Sequence, residues 1–205
     1  MKNINVGARV INWSYHKSIS DLADCSSNQR VLNSKPKHAV AFFVNMFRHA
    51  KRCVRIFSDF RDDTFGNRKL RLAAQQYVSD PTHELKLLFQ LPPNFKQSPV
   101  ETVRSCSFIS YLDPIDHEIR VAQGNYADPN IQQFAIIDER GFRYEAEGKR
   151  ICVANFNEPE TARKLARAFD EAFEMGRELD LSTRILREQA LAKLTPEEIK
   201  ALGLR

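Results

Sequence analysis

The chain has 205 residues, of which 42% are hydrophobic and 28% charged. That suits one domain with a real core and argues against wholesale disorder. No apolar run approaches the roughly 20 residues that span a bilayer, and the N-terminal stretch lacks an apolar block before a small-residue cleavage site, so a cytoplasmic protein is expected. A net charge of +5 and a pI of about 9.1 permit an anionic partner without demanding one.

Residues 1–36 read as a polar, irregular N-terminal segment, with "SSNQRVLNSKPK" as a loop. A helix is predicted over 37–51, where Ala39, Phe43, Met46, Phe47 and Ala50 recur at helical spacing. "CVRIFS" at 53–58 is a strand and "DFRDDTFGN" a loop, followed by a helix over 68–79. "ELKLLFQL" is a second strand, 99–111 a weaker helix and "HEIRVA" a third strand. Then come "QQFAIID", the turn "ERG", the returning "FRYEA" and a short "RICVAN".

The last helix of this series has the clearest start. Asn157 is placed as its N-cap with Glu160 as capping-box partner and Pro159 in the first turn. Ala162, Leu165, Ala166, Phe169, Ala172 and Phe173 make one apolar stripe ending at Gly176. The order of elements implies an α/β domain over 37–180, a mixed β-sheet flanked by helices. Residues 181–205 read as a helical C-terminal extension, with Thr195, Pro196 and Glu198 forming a second capping pattern.

The four cysteines, Cys25, Cys53, Cys106 and Cys152, form no C-x-x-C pair and read as buried free thiols. The five histidines are scattered, so no zinc site is expected. Asp59, Asp62 and Asp63 beside Arg61 could hold magnesium, but local Asp–Arg pairing in a solvated loop is the simpler reading. Asp116, His117 and Glu118 precede a strand without any marked nucleophile. No glycine-rich phosphate loop is present in the sequence. No metal and no cofactor are assigned.

The strand pattern, with "FAIID-ERG-FRYE", "ANFN" and a closing helix, resembles one half of the phospholipase D superfamily fold over about 37–178. The resemblance implies a site built on the family signature H-x-K-x4-D. With Asp138 on the aspartate, the histidine position is Ile131 and the lysine position Gln133. Isoleucine cannot attack phosphorus and glutamine brings no charge, so catalysis is not expected. "HAK" at 49–51 has the first letters of the signature, but position 56 is isoleucine and the segment ends a helix, so His49 reads as helix-terminal.

Around this vestigial site Asp138, Arg140, Arg143, Glu145, Lys149, Asn155 and Asn157 form a polar set on neighbouring strands and turns. Alternation puts Arg143 and Glu145 on one face. They could bind phosphate or a partner's polar surface, or form an internal ion-pair network. The expected function is a non-catalytic binding or assembly subunit, partnered with itself as a homodimer or with another protein, with DNA or RNA nearby. The homodimer follows from the apolar strand Phe134–Ile137, expected to need cover, and from 181–205. The alternatives are a divergent nuclease or phosphodiesterase, and a peripheral domain on acidic phospholipid. The membrane reading ranks last, because no amphipathic helix sets a strong Lys/Arg face beside Trp and Phe.

Overall fold

The computed structural model describes residues 8–91, 99–112, 118–128, 130–145 and 151–179. Its elements, in chain order, are α1 (Ala8–Asp24), β1 (Val31–Asn33), α2 (Pro36–His49), β2 (Cys53–Ser58), α3 (Asp62–Phe65), α4 (Arg68–Val78) and β3 (Glu84–Phe89). There follow α5 (Pro99–Ser105), α6 (Ser107–Leu112), β4 (Glu118–Val121), a 3-10 turn at Gly124–Ala127, β5 (Phe134–Ile137), β6 (Gly141–Glu145), β7 (Cys152–Asn155), α7 (Pro159–Met175) and β8 (Arg177–Glu178).

The described strands form one mixed sheet in the order β1-β7-β6-β5-β2-β3-β4-β8. β2, β3 and β4 run parallel, and every other pairing is antiparallel. The parallel strands are covered on both faces, which is why "CVRIF" and "LKLLF" are nearly continuous apolar runs rather than alternating ones. One face packs under α1, α2, α4 and α6 through Phe42, Met46, Ile56, Leu70, Leu87 and Phe108. The other packs under α7, where Phe57, Leu88 and Ile136 meet Phe169 and Phe173.

β5 divides its side chains with period two: Ala135 and Ile137 enter the first core, Phe134 and Ile136 the second. All four are buried. The expectation that this strand leaves an apolar surface for a partner to cover is therefore corrected, because α7 already covers it.

Four further readings are corrected. The N-terminal stretch is not irregular: α1 packs on α2 and buries Ile19 and Ala23, and β1 pairs antiparallel with β7 as Asn33 opposite Cys152. The loop after β2 contains the single turn α3, and the helix expected over 99–111 is two short helices either side of Cys106. The N-cap of α7 is Glu158, not Asn157. The N–H of Asn157 is instead donated to Asn155 Oδ1 at 2.6 Å, while the Glu158 carboxylate accepts from Thr161 and from Arg30.

Cys53, Cys106 and Cys152 are buried free thiols as expected, whereas Cys25 is exposed. His49 ends α2, with Nε2 3.2 Å from Asp24. Lys149, Asp116 and His117, and the helices expected over 181–205, lie outside the described residues.

Candidate functional site

β2 and β3 both point their carboxyl ends toward one pole of the sheet, the place where α/β sheets gather ligands. Here a cleft of about 460 Å³ opens between the ends of β1, β2, β6 and β7, the start of α2 and the α3 turn. That is room for a small metabolite. Its floor is set by local rules. β2 ends at Ser58, and Phe60 takes a left-handed φ of 51°, a conformation that costs a non-glycine residue about 1–3 kcal/mol. The phenylalanine ring is buried against Phe65, Phe89 and Phe108, which holds the turn.

Gln133 enters the cleft just before β5. Its Oε1 accepts from Ser58 Oγ at 2.9 Å and its Nε2 donates to Gln90 Oε1 at 3.2 Å. Gln90 Nε2 in turn donates to the carbonyl of Asp128 at 2.7 Å. The result is a neutral hydrogen-bonded chain around Gln133, the residue expected from the resemblance at the signature's lysine position. Ile131, expected at the signature's histidine position, packs half-buried against the core under α7. No histidine lines the cleft among the described residues.

Arg143 and Glu145, two residues apart on β6, both line the cleft, as alternation requires. Arg143 donates from Nη2 to Cys152 Sγ at 2.8 Å, and its guanidinium carbon lies 5.4 Å from the centre of the Phe43 ring. Its Nε is buried without a hydrogen-bond partner, and among the described residues no carboxylate lies within 4.0 Å of it. Burial in this setting pulls the guanidinium below its ordinary pKa, with Cys152 and Glu145 acting in the opposite direction. The same burial pushes the Cys152 thiol up, against Arg143. A thiol held protonated is a poor nucleophile.

Asn33, the last residue of β1, lines the same cleft and is 1% exposed, with both side-chain polar atoms unpartnered among the described residues. The rim carries Lys35, Arg61, Asp59 and Asp63. Arg61 Nε is 3.0 Å from Asp59, the local pairing expected of that loop. Among the described residues no group of His, Cys, Asp and Glu is placed to hold a metal ion.

Of the predicted polar set, Asp138, Arg140, Asn155 and Asn157 sit at the other pole. Gln133 and Asp138 bracket β5, so about 17 Å of strand separates them. Asp138 accepts the backbone N–H groups of Lys51, Arg52 and Cys53 at 2.8, 2.9 and 3.1 Å. Arg140 donates to the carbonyls of His49 and Phe156 and to Ser26, and Asn155, fully buried, donates to the Asn28 carbonyl. Asn157 follows in the same turn. These groups tie loops together. Of the predicted set, the cleft gathers Gln133, Arg143 and Glu145, and it adds Asn33, Ser58 and Cys152, which sequence reasoning did not single out.

No protein-family model matches the chain, and no curated protein matches it in sequence. Solved structures do resemble it. TrmBL2, an archaeal chromatin protein described as showing a novel mode of DNA binding, superposes with a TM-score of 0.54 at 13% identity. The match covers 83% of this chain and 63% of TrmBL2, so the chain spans under two thirds of that protein's length. Nuc from Salmonella typhimurium, a phospholipase D family member, gives 0.50 at 14% identity over 74% of this chain and 96% of its own. NucT from Helicobacter pylori gives 0.50 at 14% identity over 74% and 99%. At these identities the likeness is one of fold alone: the chain has the phospholipase D-like fold.

Proposed function

We propose that this chain is a non-catalytic phospholipase D-like binding module that acts in the cytoplasm beside nucleic acid, assembled with a second copy or another subunit. The observation that carries this reading is Gln133, held in a neutral network by Ser58 and Gln90 where the family signature has its phosphate-holding lysine. Ile131, half-buried against the core under α7, offers no nucleophile, and Gln133 offers no charge. The net charge of +5 and the resemblance to a DNA-binding chromatin protein support a nucleic-acid setting. Among the described residues no helix is long and apolar enough to cross a membrane.

The test is fluorescence anisotropy with a labelled DNA duplex across a salt series, with the recovered strands run on a denaturing gel. Binding should fall steeply with salt, with a log–log slope of about −0.9 per phosphate contacted, and the strands should stay intact. Absence of binding at low salt removes nucleic acid from the proposal, and magnesium-dependent cutting removes the non-catalytic reading.

A further inference from the structure

Arg143 Nε and the Asn33 amide stand out as buried polar groups of the cleft without a partner among the described residues. A buried guanidinium Nε–H without an acceptor is costly, and so is a buried amide with no partner on either atom. Native interiors satisfy nearly all such groups. Both groups line the same cleft, and both are on strands, where the backbone holds their positions. The amino end of α2 opens into the cleft at Pro36, and its N-cap, Lys35, makes no side-chain capping bond. A helix start of this kind adds partial positive charge next to the arginine.

We infer that the cleft binds a small monocarboxylate carrying neighbouring hydroxyl, amino or amide groups. This rests on the non-catalytic reading above and names its ligand. The carboxylate meets Arg143 and the start of α2. The neighbouring groups meet Asn33, whose Nδ2 donates and whose Oδ1 accepts. Charge selects one negative group rather than a polyanion: Asp59, Asp63 and Glu145 balance Lys35, Arg61 and Arg143 in the lining, and Arg61 is already engaged by Asp59. A phosphate monoester would bring a second negative charge toward those carboxylates. An apolar ligand would leave both polar groups as they are.

The experiment follows the Arg143 Nε–Hε resonance of the isotope-labelled full chain during titration at constant ionic strength. The probes are acetate, L-serine, D-glucose, inorganic phosphate and chloride. Acetate and L-serine should move the resonance and raise the melting temperature, with L-serine roughly tenfold tighter because it also occupies Asn33. Arg143→Met should abolish both responses in a chain that stays folded, since methionine keeps an apolar stem against the Phe43 ring. Asn33→Ala should shrink the advantage of L-serine over acetate while leaving the acetate response. A resonance that ignores both carboxylates, or follows chloride equally, overturns the assignment. Tighter binding of phosphate or D-glucose overturns its ligand class. Either failure can occur with DNA binding intact and no cleavage, and so is separable from failure of the underlying reading.

Discussion

Asp138 Oδ1 accepts the backbone N–H of Arg52 at 2.9 Å, joining two turns 86 residues apart in sequence. With the N–H groups of Lys51 and Cys53 also donated to this carboxylate, Asp138 closes the turn between α2 and β2 and is almost wholly enclosed. The signature-like aspartate is thus an architectural residue at the pole opposite the cleft. Asp138→Ala should destabilise the fold by about 3 kcal/mol, the upper end of the scale for hydrogen bonds to a charged group. Asp138→Asn should cost less, because an amide oxygen keeps part of the acceptor and asparagine tolerates the residue's φ of 48°. Urea unfolding midpoints check both, and equal midpoints for wild type and the alanine variant would refute the role.

Gln133→Lys restores a signature letter but should restore no chemistry. The lysine cannot accept from Ser58, and it brings a cation into a network built from neutral groups. A loss of about 1–3 kcal/mol is expected, from the unsatisfied partners and the desolvated charge. Thermal and chemical denaturation read the loss. A variant as stable as the parent, or one that gains hydrolysis of phosphodiesters, would show that the neutral network is incidental.

Much of the fold is legible in the sequence where packing is regular. "CVRIFS" and "FAII" are read as strands, and the stripe Ala162–Phe173 as a helix, because burial on fixed faces imposes the spacing. What escapes is set by distant partners. β1 has three residues, with Leu32 exposed, and exists because Val31 to Asn33 pair with β7 far along the chain. Asn33 consequently hides in a stretch that reads as a loop. Arg140 and Arg143 look alike in sequence, yet one staples carbonyls at a closed pole and the other faces the cleft. Only the register of β6 separates them.

Alkaline stability should carry a signature of Tyr15. Its ring stacks on His38 with centroids 3.9 Å apart, and its hydroxyl donates to the Leu32 carbonyl at 3.2 Å. Burial pushes its pKa from 10.0 up to about 12, with Arg143 pulling it partly back. The folded pKa is the higher one, so the unfolded chain loses this proton first. The corresponding stability is complete below pH 10.0 and is lost as the pH rises toward about 12. Burial raises the Cys53 thiol to about 11, which adds a loss of the same sign. Urea midpoints measured through this range should fall less steeply in Tyr15→Phe than in the parent chain. Parallel slopes would contradict the assignment.

The central claim, that the cleft binds without catalysing, is tested most directly by hydrolysis of bis(p-nitrophenyl) phosphate. The full chain, with and without magnesium, should be compared with Arg143→Met and Asp63→Asn, which alter the cleft without touching Asp138. The account predicts no nitrophenol release above background in any of the three, at any protein concentration. Release that grows with the concentration of the parent chain and disappears in either variant would contradict it.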